Sequence, residues 1–254
     1  MRFEGRVAIV TGGSSGIGKA VALGLAKDGA DLAIADINSE QGKQVCKEIE
    51  ATGRRAVFIP TDVRKSDQVN RMVDGVVYRL GRVDVLVNCA GGSARGRAAL
   101  FHESVEDVWD YVIELNLKGT RNCCRAVVGP MMRQRSGKIV NIGSNAARAA
   151  FAKSVEYCTA KAGILSFTRA LAAELVGYGI NVNSVSPGPT DTIAMQSSSM
   201  DLLEQRKRST GFGRLATVEE VANAVAFLAS DEASFITGQD YAVCGLANLV
   251  WRGL

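Results

Sequence analysis

Residues 7–18 read Val7-Ala8-Ile9-Val10-Thr11-Gly12-Gly13-Ser14-Ser15-Gly16-Ile17-Gly18. The apolar, β-branched start predicts a buried strand, and the glycines predict a turn in which positive φ values are allowed. A helix that begins at the end of this turn presents free N–H groups and its positive dipole end to a pyrophosphate. We therefore predict a phosphate site built from Gly12, Ser14, Ser15, Gly16, Ile17 and Gly18.

Short apolar runs alternate with longer helical patterns along the rest of the chain. Strands are predicted at 7–11, 31–35, 55–60, 83–87, 137–142, 180–185 and 240–244. Helices are predicted at 16–28, 39–52, 66–80, 104–128, 155–177 and 217–229. Nearly continuous apolar strands are typical of a parallel sheet covered on both faces. The pattern predicts an α/β protein with a doubly wound parallel sheet of about seven strands.

The chain shows no linker or low-complexity segment, so we expect a single domain over residues 1–254. The least regular stretch is 188–212, which contains Ser197-Ser198-Ser199 and several charges. It follows a predicted strand end, where open α/β sheets bind their ligands. We predict a mobile lid over the substrate there; the alternative is an inert surface excursion.

Composition and charge exclude several classes of protein. Apolar residues make up 47% of the chain, the formal net charge is only +4, and the basic residues are scattered. These values argue against a nucleic-acid-binding protein. No apolar run approaches the ~20 residues of a membrane span, and no targeting signal is recognisable. The six cysteines have no metal-ligand spacing, so we expect reduced thiols, no metal and a cytoplasmic location.

An acidic residue, Asp36, ends the second predicted strand about 20 positions beyond the glycines. Such a carboxylate can accept hydrogen bonds from the adenosine ribose hydroxyls, and its charge would repel a 2′-phosphate. No Arg or Lys at positions 13–15 or 37 offsets that charge. The sequence therefore favours NAD over NADP, against the alternative of a surface aspartate with no ligand.

Two further strand ends fit the same cofactor site. Asp62 ends the third strand beside Val63, and it is placed to accept from an adenine amino group. Asn88 ends the fourth strand, and the small Ala90 and Gly91 after it allow a cofactor close to the backbone. The Asn88 side chain has two interpretations, a contact with the cofactor or a brace within the sheet.

Tyr157 and Lys161 lie four residues apart in a predicted helix and therefore on one face of it. A fixed ammonium beside a phenol favours the phenolate and lowers the phenol pKa from about 10. The pair is a candidate acid/base device for a carbonyl or an alcohol. Ser144, thirteen residues before Tyr157, would lie at a strand end; the alternative is an ordinary helix face and turn.

Together, these residues resemble the short-chain dehydrogenase/reductase family over essentially the whole chain. The resemblance rests on the glycine turn, Asp36, Asp62-Val63, Asn88-Cys89-Ala90-Gly91, Asn116, Ser144, Tyr157, Lys161 and Pro187-Gly188. It implies a Rossmann-like fold, a homotetramer and chemistry with NAD(H) or NADP(H).

The resemblance also implies a role for each matching residue. Tyr157 would be the general acid/base, and Ser144 would polarise the substrate oxygen. Lys161 would bind the nicotinamide ribose and lower the Tyr157 pKa, and Asn116 would position a water of the proton relay. Pro187 and Gly188 would line the nicotinamide face, and Thr190 and Thr192 would meet the carboxamide and phosphate region of the cofactor.

The chain departs from the family pattern in two places. Cys89 stands where the family usually has a second Asn, and the C-terminal end around Cys244 lacks the common Asp-Gly-Gly close. The apolar tail 247–251 is predicted to pack against a partner subunit.

The sequence indicates the substrate less clearly than the fold or the cofactor. Loops after strand ends offer Ser93, Arg95, Asn145 and Arg148 as substrate contacts, and an inward-pointing arginine, including Arg97, would favour an anionic substrate. The arginines have an alternative role at the surface or at an interface. The main expectation is hydride transfer between NAD(H) and a secondary alcohol or ketone. Alternatives are a 3-oxoacyl thioester reductase or another NADP-linked carbonyl reductase, a non-catalytic NAD(H)-sensing regulator, and an epimerase or dehydratase.

Overall fold

A seven-stranded, wholly parallel sheet forms the centre of the protein. The computed structural model describes residues 1–149 and 151–247. Strand order is β3-β2-β1-β4-β5-β6-β7. The strands are β1 (Val7–Thr11), β2 (Asp31–Asp36), β3 (Ala56–Pro60), β4 (Val85–Asn88), β5 (Gly137–Ile142), β6 (Ile180–Pro187) and β7 (Asp240–Val243). The predicted fold class is confirmed.

Two hydrophobic cores explain why the strands read as continuous apolar runs. In β1, Ala8 and Val10 face one core, whereas Val7 and Ile9 face the other. Alternate side chains of a strand point to opposite faces, so burying both faces requires apolar residues throughout. Helices α1 (Gly16–Lys27), α2 (Ser39–Glu50) and α9 (Val218–Ala229) cover the first face. The second is covered by α3 (Ser66–Leu80), α5 (Gly119–Gln134) and α6 (Val155–Leu175).

The helix predicted at 104–128 differs from the structure. It consists of α4 (Glu106–Ile113), a π-helical turn (Glu114–Lys118) and α5, which continues past Pro130. The predicted end at 128 is wrong because fully buried Met131 anchors another turn of α5 in the core.

The irregular stretch 188–212 contains two short helices, α7 (Ile193–Gln196) and α8 (Met200–Arg208). The side chains of Thr192 and Ser199 cap their N-termini. The Gly211 N–H donates to the Gly245 carbonyl oxygen, which ties the stretch to the chain end beyond β7. Movement of this stretch as a lid stays a prediction.

Among the helices in the described ranges, none has both the length and the apolar character needed to cross a bilayer. All six cysteines lie in the described ranges, and none of them forms a disulfide there. The predicted packing of the tail 247–251 falls largely on residues outside the described ranges.

Candidate active site

The carboxyl ends of the central strands place the predicted site residues on one edge of the sheet. Thr11 at the end of β1 is in register with Asn88 of β4, which in turn is in register with Asn141 of β5. The segments that follow these three strands therefore leave the sheet side by side. The strand order reverses between β1 and β4, and ligands of open α/β sheets bind at such a switch point.

The glycine turn is fixed against the end of β4. Gly12 has φ +63°, and a Cβ there would lie 2.8 Å from the Ala90 Cα. The Thr11 hydroxyl oxygen accepts from the Ala90 N–H at 3.2 Å. A Cβ on Gly18 would overlap the Gly12 carbonyl oxygen. These close approaches explain why glycine occupies both positions.

Asp36 closes the same turn. Its Oδ2 accepts from the Ser14 N–H at 3.1 Å and from the Ser14 hydroxyl at 2.5 Å. Its Oδ1 accepts from the Asn38 N–H at 3.0 Å. The spacing of Asp36 indicated a cofactor contact, but it did not reveal this brace, because Ser14 lies 22 residues away.

Asp62, the predicted adenine contact, already forms an ion pair with a neighbouring side chain. The Arg64 guanidinium donates to both carboxylate oxygens, at 2.7–3.1 Å, and stacks over the Tyr111 ring. These hydrogen bonds from Arg64 lower the pKa of the Asp62 carboxyl. Val63 is buried in the core against Gly119. Any hydrogen bond from adenine would therefore reach Asp62 in competition with Arg64.

The Asn88 side chain braces the sheet through its Nδ2, whereas its Oδ1 is buried without a hydrogen-bond partner among the described residues, so a contact with the cofactor stays a prediction. The side chain is buried, and its Nδ2 donates to Asn141 Oδ1 at 2.8 Å and to Cys124 Sγ at 3.3 Å. Asn141 in turn donates to the Thr168 hydroxyl at 2.9 Å. This network joins β4, β5 and α6 beneath the site.

Lys161 joins Tyr157 to Ile142, the last residue of β5, two residues before Ser144. The buried Lys161 Nζ donates to the Ile142 carbonyl oxygen at 2.8 Å and lies 5.7 Å from the Tyr157 ring centroid. Burial lowers the pKa of Lys161 to about 8. Ser144 starts a short 3₁₀ turn, Asn145–Ala147, and its Oγ accepts from the Ala146 N–H at 3.1 Å.

Asn116 belongs to the π-helical turn and is fully buried. Its Nδ2 donates to the Gly92 and Val112 carbonyl oxygens, both at 2.8 Å, and its Oδ1 accepts from the Gly92 N–H at 3.1 Å. A Cβ on Gly91 would lie 2.7 Å from Asn116 Oδ1 and 3.4 Å from Lys161 Nζ. The end of β4 therefore touches both side chains, and π-turns often occur at functional sites.

The segment after β6 packs beside the glycine turn. The Gly188 N–H donates to the Val243 carbonyl oxygen at 2.9 Å, and the Thr190 hydroxyl donates to the Gly188 carbonyl oxygen at 3.0 Å. Gly188 approaches Cys244 so closely that a Cβ would lie 2.8 Å from its Cα. The Thr192 methyl group would lie 3.6 Å from a Cβ on Gly16. Pro187 and these residues thus border the predicted cofactor site.

The predicted substrate residues fall into two groups. Ser93 is half-buried, and the Asn145 Nδ2 is buried without a hydrogen-bond partner among the described residues. Arg148 and Arg97 are instead paired, with Asp240 and Asp107 respectively, each at 2.6 Å. The described residues do not include the side chain of Arg95. Asn145 is therefore the better candidate for a free polar contact.

The lowered pKa of Lys161 predicts a pH-dependent stability of the cofactor-free protein. Between pH 8 and about 10.5 the unfolded chain binds more protons than the folded one, so stability rises with pH in this window. The cost of burying the ammonium is fully present below pH 8. It amounts to about 3 kcal/mol at ~1.36 kcal/mol per pKa unit. Urea unfolding at pH 7.5 and pH 10 measures it.

Lys161→Met should flatten this rise. Lys27→Met, at the exposed C-terminal end of α1, is the matched control and should keep it. An equal slope in all three proteins would show that Lys161 titrates normally.

The glycine turn and Asp36 lie at one edge of the sheet. The same edge carries Ser144, Tyr157, Lys161 and Asn116. A family model described as "Enoyl-(Acyl carrier protein) reductase" matches residues 12–245. The chain belongs to the short-chain dehydrogenase/reductase family, as the resemblance implied, and it is an oxidoreductase.

Two named relatives and one solved structure are similar to this chain over almost its whole length. The 3-oxoacyl-[acyl-carrier-protein] reductase FabG of Thermotoga maritima is 39% identical over 245 residues, which cover 96% of this chain and 98% of that protein. The (2S)-[(R)-hydroxy(phenyl)methyl]succinyl-CoA dehydrogenase subunit BbsD of Thauera aromatica is 39% identical over 252 residues, covering 98% and 99%. A solved short-chain type dehydrogenase/reductase from Mycobacterium marinum is 31% identical, with a TM-score of 0.92 and 97% of each chain covered.

Proposed function

We propose that this protein transfers hydride between a nicotinamide cofactor and a 3-oxoacyl or 3-hydroxyacyl thioester. The observation that carries the proposal is that the buried Lys161 contacts both the Tyr157 ring and the carbonyl oxygen of Ile142, two residues before Ser144. The two named relatives support the substrate class, because both names describe an acyl thioester with an oxygen function to be reduced or oxidised. This 3-oxoacyl alternative is better supported than the broader secondary alcohol interpretation.

When bound, the nicotinamide supplies or accepts the hydride. In the reductive direction, Tyr157 donates its hydroxyl proton to the substrate oxygen as that oxygen gains charge. The Ser144 hydroxyl donates a hydrogen bond to the same oxygen and holds it in place. In the oxidative direction the proton moves back to Tyr157. General acid/base catalysis of this kind contributes about 10²–10⁴-fold to the rate.

A positive charge beside Tyr157 would favour its phenolate. Lowering a tyrosine pKa from ~10 to ~7 requires about 4 kcal/mol. The Lys161 ammonium, 5.7 Å from the ring and removed from water, acts through a low dielectric. Its own lowered pKa means that this charge weakens as the pH rises through about 8. We propose that Asn116, which like Lys161 lies against Gly91, positions a water of the proton relay.

The substrate class is tested with three ketones that differ in one feature each. Acetoacetyl-CoA carries the thioester and the nucleotide, acetoacetyl-N-acetylcysteamine keeps only the thioester, and cyclohexanone lacks both. We expect reduction of both thioesters with kcat/KM at least about 10-fold above that of cyclohexanone. A preference for cyclohexanone would reject the thioester proposal in favour of a simple ketone. Turnover of none of the three would reject both.

We further propose NAD as the cofactor. The carboxylate of Asp36 is fixed by Ser14 at the rim of the glycine turn, where it would meet the adenosine ribose and repel a 2′-phosphate. Asp36→Asn is expected to lower the NADH over NADPH preference, measured as a ratio of kcat/KM values, by about 10-fold or more. The amide oxygen still accepts from Ser14, so the turn is retained.

Asp67→Asn, on the exposed first turn of α3, is the matched control for this measurement. Its cofactor ratio should equal that of the wild type. A wild-type protein that prefers NADPH, or an Asp36→Asn variant with an unchanged ratio, would contradict the assignment.

We also propose a homotetramer in the cytoplasm. The unpaired cysteines of the described residues support a reducing compartment. Sedimentation velocity tests the assembly, and a monomer at micromolar concentration would contradict it.

A further inference from the structure

Asp240, the first residue of β7, is partly buried, and its carboxylate has three side-chain partners. Its side chain is only 7% exposed. Its Oδ1 accepts from the Ser184 hydroxyl at 2.7 Å and from the Ser186 hydroxyl at 2.8 Å. Its Oδ2 forms an ion pair with Arg148 Nη2 at 2.6 Å but accepts no hydrogen bond of good geometry among the described residues; Arg148 Nη2 donates instead to the Asp240 carbonyl oxygen at 3.4 Å. A buried charge is costly unless it is paired and hydrogen-bonded, so these partners are needed where Asp240 stands.

Arg148 connects this carboxylate to the segment that carries Ser144. It ends the 3₁₀ turn that Ser144 begins, and its N–H donates to the Asn145 carbonyl oxygen at 3.0 Å. The Ala147 N–H donates to the Ser144 carbonyl oxygen at 3.0 Å. Holding the Arg148 side chain on Asp240 therefore fixes the far end of a turn only five residues long.

Ser186 connects Asp240 to the near end of the same segment. A Cβ on Gly143 would lie 2.5 Å from the Ser186 Oγ, so this hydroxyl fills the space beside Gly143. The Gly143 N–H donates to the Val185 carbonyl oxygen at 2.8 Å. Asp240 therefore acts on both ends of the segment that contains Ser144. It contacts Ser186, which lies beside Gly143 at one end, and Arg148 at the other end, from a strand more than 90 residues further along the chain.

We infer that Asp240 is a positioning residue, which acts through Arg148 and Ser186 to hold the Ser144 hydroxyl in place beside Tyr157. This role rests on the proposed oxidoreductase function. It assigns Arg148 to the sheet edge instead of to an anionic substrate. The charge matters because asparagine at 240 still accepts from the two serines but no longer attracts the guanidinium.

The test compares Asp240→Asn, Arg148→Met, Arg148→Lys and the Asp240→Asn/Arg148→Met double variant. Asp240→Asn and Arg148→Met should each lower kcat for acetoacetyl-CoA about 10-fold, since small misplacements of a reacting group are costly. The dissociation constant for NADH should stay within about 2-fold of the wild type. Arg148→Lys should recover part of the loss, and the double variant should be no slower than either single variant.

Amide hydrogen exchange supplies a readout that needs no turnover. Peptides that cover 143–149 should exchange faster in Asp240→Asn than in the wild type, whereas Asp28→Asn, which breaks the distant Arg2–Asp28 pair, should leave them unchanged. Wild-type kcat and exchange in Asp240→Asn would overturn the inference. Multiplied losses in the double variant would also overturn it, because Arg148 would then contact substrate independently. If the wild-type protein turns over no thioester, the proposed function fails while the exchange measurement still tests the pair.

Discussion

Replacing Tyr157 with phenylalanine is expected to lower kcat by about 10²–10⁴-fold while NADH still binds. The substitution removes only the hydroxyl that exchanges a proton with the substrate oxygen. The side chain still packs against the cluster of Val108, Val112 and Ala160, so the fold should be unaffected. The measurement is kcat with acetoacetyl-CoA together with NADH affinity, from the change of its fluorescence on binding.

Tyr178→Phe is the matched control, because Tyr178 is an exposed tyrosine in the turn after α6. It should keep wild-type kcat. If Tyr157→Phe retained most of its turnover, another group would have to be the acid, and the proposed mechanism would fail. A loss of NADH binding in parallel with kcat would instead assign Tyr157 to the cofactor site alone.

The second large effect is expected from Gly18→Ala in the first turn of α1. The new methyl group would overlap the Gly12 carbonyl oxygen, so the turn must open or the helix must shift. Overpacking of this kind costs typically 1–3 kcal/mol, and roughly that much stability should be lost. NADH affinity should fall with it, because the displaced atoms form the predicted phosphate site.

Gly24→Ala is the matched control on the same helix. It also adds one methyl group, but it is expected to stabilise the protein instead of destabilising it. Among the described residues, a Cβ at position 24 would meet no heavy atom within 4 Å apart from its chain neighbours and the backbone of its own helix. Alanine is the better helix former by roughly 0.5–1 kcal/mol, so this variant should be slightly more stable and bind NADH normally. Urea unfolding and NADH titration of the two variants separate the steric effect from the general effect of alanine. Equal stabilities of the two variants would show that a methyl group at position 18 fits without displacing the turn.

Local sequence patterns predicted the elements well where one pattern decides the structure. The bounds of β1 (7–11), β5 (137–142) and α3 (66–80) agree with the structure. In these elements, apolar runs or helical periodicity coincide with burial on the corresponding faces. The π-helical turn at Asn116 was not predicted, because one added residue in a helical turn leaves no clear trace in hydrophobic periodicity.

The partners of the polar side chains were harder to predict than the side chains themselves. The sequence singled out Asp36, Asn88 and Arg148, yet their partners Ser14, Asn141 and Asp240 lie 22, 53 and 92 residues away along the chain. Such pairs depend on strand register, which spacing alone does not specify. The Arg64–Asp62 pair is the opposite case, a local contact that the strand-end pattern left unassigned.

The position of β1 at the centre of the sheet has a consequence during synthesis. One edge of β1 pairs with β2, but the other must wait for β4, whose first residue follows Thr11 by 74 positions (85 − 11). At roughly 5–20 residues per second, a ribosome needs about 4–15 s to make that stretch. During this interval the backbone of Ala8–Thr11 offers an open edge to other nascent chains. The strand that begins the nucleotide site is therefore also where aggregation of the incomplete protein is expected to begin.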